Sequence, residues 1–203
     1  MSLDKPKEAS MRIPMKLSRA HRGTMPRFLA VAGLLFCAGS APVIAQNHGP
    51  MMTSTAVLVA TSGSAVSGTL KFHETGDRVV HITGTVEGLA PGKHGFHVHV
   101  NGNCDSPDGM SAGGHYAPTG GQHGAPGSNT HHLGDLGNIV ADASGRAEVD
   151  VTVSGITIAL MGTASIGDRS IVIHAKEDDF SDPAGNSGPR VACGVIESDM
   201  MRM

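Results

Sequence analysis

The strongest constraint in this chain is a period of two. Val66, Gly68, Leu70 and Phe72 alternate with polar neighbours, and so do Val80, Ile82, Gly84 and Val86. The segments "AEVDVTV" (147–153) and "SIVIHA" (170–175) repeat the pattern, with glycine-rich turns between them. Such alternation puts one side of each segment in a core and the other in water, as antiparallel strands require. No stretch sustains a helical period. The chain therefore reads as all-β, an antiparallel sandwich or flattened barrel. With no Trp and one Tyr, its core must be built from Val, Ile, Leu and a few Phe.

The residues ahead of this pattern follow a different logic. Arg19, Arg22 and Arg27 precede "FLAVAGLLFCAGSAPVIAQ", a basic flank, a short apolar run and a small-residue exit. That order predicts a secretory signal peptide, cut after Ala45. The apolar run is too short and glycine-rich for a membrane span of about 20 residues. Residues 1–45 are thus expected to be a signal peptide with an over-extended N-terminus, the start lying at Met11, Met15 or Met25. Residues 46–54 should form a flexible tail, 55–198 one domain, and 199–203 a Met-rich tail. Gln46-Asn47-His48, with Met51, Met52, Met200, Met201 and Met203, also has the chemistry of a terminal copper site, set against plain fraying. The export signal places the mature chain in the periplasm or outside the cell.

Removing 1–45 leaves eight Lys/Arg against sixteen Asp/Glu, a net of −8. An acidic body argues against nucleic acid or an anionic membrane as partner. Cys37 leaves with the signal, so Cys104 and Cys193 remain as an even pair in an oxidising compartment, which reads as one disulfide. Chain entropy assigns a loop of that length on the order of 4–5 kcal/mol.

Between Asn101 and Asn138 the strand pattern gives way to a stretch with ten glycines and no strand signal. It holds His115, His123, His131, His132 and Asp135, and a bound metal would order such a loop at several points at once. Just before it, in "GKHGFHVHVNGNC", Phe96, Val98 and Val100 share one strand face and His97 and His99 share the other. Two imidazoles so placed can chelate one ion. His94 has the parity of Phe96, so it is expected to be a structural histidine bonded to backbone. His73 and His81 fall on polar faces and read as surface residues. With His174 on a later strand, the set is a metal signal: all-nitrogen coordination suits copper or zinc, and a carboxylate suits zinc. Two neighbouring sites are allowed, and chemistry alone does not divide the ligands.

The motifs "HGFHVH", "AGGHYAP", "HGAP", "HHLGDLGN", "VIHAKEDD" and "GNSGPRVACGVI" stand in the order and context of copper/zinc superoxide dismutases. The chain resembles that family, in its bacterial exported form, over roughly Thr55 to Ile196. The resemblance implies a Greek-key β-sandwich, immunoglobulin-like in architecture. It implies copper ligands His97, His99, His115 and His174, and zinc ligands His115, His123, His132 and Asp135, with His115 shared. It selects His132 over His131, makes Asp178 a carboxylate linking a copper and a zinc histidine, and pairs Cys104 with Cys193. The implied reaction is dismutation of superoxide to oxygen and hydrogen peroxide, with Arg190 orienting the anion and His115 handling a proton. One copper and one zinc per subunit would be required. The competing function is a copper-buffering protein on the same fold without turnover, which the presence of Arg190 and the full ligand set disfavours. The stretch from Cys104 to His115 is longer, and that from His174 to Arg190 shorter, than in eukaryotic members. Bacterial relatives include monomers and a differently built homodimer.

Overall fold

The computed structural model describes residues 52–199. Among these, β1 (Thr53–Ala60), β2 (Ser67–Gly76), β3 (Val79–Glu87), β4 (Gly92–His99), β5 (Asp135–Ala141), β6 (Ala147–Ser154), β7 (Ser170–His174), β8 (Arg190–Val195) and β9 (Glu197–Ser198) are strands. A 3-10 turn spans Met110–Ala112. All named strands pair antiparallel. Their order is β5-β4-β7-β8-β1-β2-β3-β6, with β9 beside β1. The end strands β5 and β6 are joined by a tight turn in which Gly145 N–H donates to Asp142 O at 3.0 Å, so the sheet nearly closes into a barrel. β6 lies beside β3 and β7 beside β4, which are Greek-key connections.

The alternation in the sequence has become the wall of the barrel. Leu70 and Phe72 of β2, Val80, Ile82 and Val86 of β3, and Ala147 and Val149 of β6 all turn inward and are buried. Phe96, Val98, Ile171, Ile173, Ile156, Ile166 and Ile196 complete the core. No Trp is needed because branched aliphatics from facing strands fill the interior. His73 and His81 are cross-strand partners outside this core, and His81 Nε2 sits 2.8 Å from Asp150 Oδ1. Cys104 and Cys193 are joined as expected, across 89 residues.

Two expectations need correction. The stretch read as loop up to Asn138 already contains β5 from Asp135 onward. Leu136 faces the core while Gly137 lies under Pro126 and Phe180. Both sides are covered, so no polar alternation marks the strand. The tail expected over 46–54 ends earlier, since Thr53 and Ser54 pair with His73 and Phe72. Met52 packs against the core, and its carbonyl accepts a bond from Glu74 N–H at 3.1 Å; it is no free thioether. The segment expected to be a signal peptide, with Gln46-Asn47-His48, Met51, Met200, Met201 and Met203, lies outside the described residues. Among those described, no helix is long and apolar enough to cross a membrane.

Candidate metal centre

His97 and His99 stand on the outer face of β4, opposite Phe96 and Val98. An outer strand face normally meets water, yet these side chains are 0% and 1% exposed. The chain 100–134 folds back over them. Tyr116 N–H donates to Val98 O, Val98 N–H to Gly134 O, and Gly134 N–H to Tyr116 O, all at 2.8–2.9 Å. Gly134 is required there, because a Cβ would lie 2.2 Å from Val98 O. This zipper carries His115 to a bridge opposite His99. β5 opens with Asp135 directly across from His97, and β7 ends on His174.

Three sets of ligand atoms lie within 4.8 Å of one another among the described residues: His97, His99, His115 and His174; His115, His123, His132 and Asp135; and His97, His123 and Asp178, the last already joined by hydrogen bonds. His115 belongs to the first two. Its ring centroid is 4.1 Å from that of His97 and 5.1 Å from that of His123. His131 belongs to none of them, its Nδ1 lying 2.8 Å from Ser128 O. His94 is also apart, with Nδ1 and Nε2 each 2.8 Å from a carbonyl, those of His174 and Ala90. It ties the start of β4 to the backbone of His174, the structural role its parity indicated.

Whether these residues suit metal ions can be read from their ring nitrogens. His97 Nε2–H donates to Asp178 Oδ2 at 2.8 Å, and His99 Nδ1–H to Gly113 O at 2.8 Å. His123 Nε2–H donates to Asp178 Oδ1 at 2.8 Å, and His174 Nδ1–H to Gly188 O at 3.1 Å. In each ring that bond puts the proton on one nitrogen and leaves a lone pair on the other. The other atoms, His97 Nδ1, His99 Nε2, His123 Nδ1 and His174 Nε2, are buried without a partner, as is His132 Nδ1. Buried lone pairs with no donor are costly, and a cation relieves them. His123 Nδ1 and His132 Nδ1 lie 3.0 and 3.3 Å from Asp135 oxygens without hydrogen-bond geometry. That is the spacing of neighbouring ligands around one ion. The all-imidazole set suits copper, and the three-imidazole, one-carboxylate set suits zinc.

The surroundings keep the ligands ready. Burial pushes His174 down to about 3 and holds His97 and His99 below the ordinary imidazole range. Burial alone would raise the carboxyls of Asp135 and Asp178. Hydrogen bonds from His115 and the His132 backbone to Asp135, and from His97 and His123 to Asp178, outweigh it and hold both low. For all five groups the unfolded chain binds protons at a pH where the metal-free native state does not. Its stability should therefore be flat above about pH 6.5 and fall progressively toward pH 3. Urea midpoints of the metal-free protein at pH 7, 5 and 4 measure this; equal midpoints would contradict it.

Several supporting residues escaped the sequence reading. Asn138 grips Asp178 twice, donating from Nδ2 to its carbonyl at 2.9 Å and accepting its N–H at 2.7 Å. Asp182 accepts the N–H of His123 at 2.9 Å. The Gly113 carbonyl accepts bonds from both His99 and Arg190. Gly185 has φ +66, and a Cβ on it would lie 1.7 Å from Asp178 Oδ1 and 2.7 Å from His123 Nε2. Asn138 stood inside a quoted motif, but its partner lies 40 residues away; the others carry no local signal. Gly185→Ala is expected to displace Asp178 and weaken metal binding on both sides roughly tenfold. Competition against a chelator measures this, and unchanged affinities would exclude the crowding.

Arg190 opens β8 beside the disulfide. Its guanidinium donates to Gly109 O at 2.6 Å and to Gly113 O, and Thr61 Oγ1 donates to its carbonyl at 2.7 Å. Burial lowers its pKa, and a guanidinium is a cation in proteins at neutral pH. Arg190 lines a cleft of about 460 Å³ with His99, His115, His132 and His174. The sequence from residue 66 to 196 matches the family model described as copper/zinc superoxide dismutase (SODC).

Proposed function

The chain belongs to the copper/zinc superoxide dismutase family, oxidoreductases that act on superoxide, and on that footing we propose how its residues divide the work. His97, His99, His115 and His174 hold copper; His115, His123, His132 and Asp135 hold zinc. The observation that carries this division is the set of partnerless buried nitrogens, three on the first side and two on the second, with His115 between them. When bound, copper supplies one-electron chemistry, cycling between Cu(II) and Cu(I) as one superoxide is oxidised to oxygen and a second is reduced to peroxide.

The protein's part is to admit the anion, orient it and deliver protons. Arg190 faces the cleft with a fixed guanidinium, because two backbone carbonyls hold it. An anion entering beside His99 and His174 meets that charge in a setting drier than bulk water, where attraction is stronger. His115 Nδ1 is tied to the Asp135 side at 2.9 Å, which leaves its Nε2 as the position from which a proton is given to the reduced substrate. Asp178 keeps the rings of His97 and His123 turned. The net charge of −8 over residues 46–203 repels superoxide at long range, so local attraction at the cleft must dominate.

Metal analysis joined to superoxide consumption tests the reading. One copper and one zinc per chain with fast turnover supports it, and both metals bound without turnover would favour copper storage. Arg190→Ala is expected to lower the rate roughly tenfold and flatten its salt dependence while both metals stay bound. Arg190→Lys, which keeps the charge, should retain more of the rate; equal losses would assign Arg190 to loop anchoring alone. We also propose export through residues 1–45 to the periplasm or medium. The support is the basic, apolar and small-residue order of that segment. Cell fractionation with N-terminal sequencing starting at Gln46 tests it.

A further inference from the structure

Two side chains in the wall of the cleft, a carboxylate and a thioether, are chemically unsuited to an anionic substrate. Asp108 and Met110, from the loop between Cys104 and Gly113, line the cleft together with His99, His115, His174 and Arg190. A carboxylate there cancels part of the field that Arg190 presents, and the two charges act on one another. Met110 is 59% exposed, so its thioether is open to solvent in the wall of the cleft. Neither is loosely placed. Gly109, at φ +71, turns the chain between them, and Asp108 Oδ1 accepts the Met110 N–H at 2.9 Å. Arg190 then fastens the loop through the carbonyls of Gly109 and Gly113.

A carboxylate attracts cations, and a thioether selects soft ones such as Cu(I). The inner end of the same cleft offers His99 Nε2 and His174 Nε2, both buried without a partner. We infer that Asp108 and Met110 form an outer capture site for Cu(I) on its way to His99 and His174. The inference rests on the assignment of copper to the four-histidine set. Asp108 draws the cation to the mouth, the Met110 sulfur holds it there, and imidazole nitrogens replace the sulfur as the ion moves inward. Copper stays Cu(I) throughout, so no oxidant or reductant is consumed. The arrangement also accounts for a negative charge in a cleft built for an anion: it serves metal loading at some cost in substrate attraction.

The test uses the full chain with zinc bound and copper absent, mixed anaerobically with the coloured Cu(I)–bicinchoninate complex. Loss of colour gives the uptake rate. Met110→Leu is expected to slow uptake roughly tenfold and still reach the wild-type copper content. Asp108→Asn, which keeps an oxygen for the Met110 N–H, should slow uptake several-fold, most at low salt, while raising the superoxide rate of the loaded enzyme. Met161→Leu is the control, since Met161 is more exposed, at 86%, but is not among the residues lining this cleft. Equal uptake by wild type, Met110→Leu and Asp108→Asn overturns the inference and leaves the histidine assignment standing. A fall in both uptake and superoxide rate for Asp108→Asn also overturns it, by pointing to loop disruption. No uptake by the wild type would instead overturn the copper assignment itself.

Discussion

Replacing Asp178 by alanine is expected to weaken copper and zinc binding together, each by roughly 10- to 100-fold. One carboxylate accepts Nε2–H from His97 and from His123, both at 2.8 Å, at full burial. Removing it frees both rings to rotate and lets either nitrogen carry the proton, so the lone pairs at the two Nδ1 atoms are no longer guaranteed. It also leaves two buried N–H groups unpaired, at about 1–3 kcal/mol each. Asp178→Asn is the sharper variant. Its single oxygen satisfies one ring while its amide faces the other as a donor, so the two metals should be affected unequally. Chelator competition for each metal, with the spectrum of bound Cu(II), measures both effects. If Asp178→Ala changed only one affinity, the carboxylate would not be coupling the two sides.

Breaking the disulfide is expected to give the largest loss of stability. The bond closes 89 residues, and the chain-entropy cost returned to the unfolded state is on the order of 4–5 kcal/mol. Cys193 is buried with Ala112 and Val172, and Cys104 packs against the same group. Releasing Cys104 therefore loosens the loop that carries Gly109 and Gly113, the two carbonyls holding Arg190. Cys104→Ser should lower the melting temperature of the metal-free protein by on the order of 10 °C or more. It should also reduce the superoxide rate of the metal-loaded protein through misplacement of Arg190. A melting temperature within about 2 °C of wild type would show that the native state gains nothing from the crosslink. A normal rate in the presence of the lower melting temperature would separate the bond from Arg190.

The two effects differ in how visible their residues were. The cysteines could be paired from sequence because setting Cys37 aside with the expected export signal leaves an even number. His97 and His99 could be put on one face, and His94 on the other, because a strand's period is fixed by backbone geometry. The histidine following them in chain order, His115, could be named as a candidate but not given two partners. Its double membership arises only when the zipper of Val98, Tyr116 and Gly134 lays the loop across β4. The strand β5 carries no strand signal in the sequence because both of its faces are covered, which erases the alternation that marks an exposed strand.

Local periodicity and residue chemistry thus determined the all-β class, the inward aliphatic core, the strand pair His97 and His99, and the histidine-rich loop as a metal site. Resemblance of motifs then divided the ligands. Tertiary structure alone decided which nitrogen of each ring is left free, because that depends on carbonyls and carboxylates brought from distant segments. Gly113, Gly188 and Asp178 hold one nitrogen of His99, His174, His97 and His123, and none of these pairings is set by local sequence. Gly185 and Asn138 acquire their roles in the same way, by packing against Asp178. So do Asp108 and Met110, two surface residues by composition, which the fold sets in the wall of the cleft with His99 and His174. Sequence specifies what each residue can do chemically; only folding fixes which partner it meets and which lone pair remains.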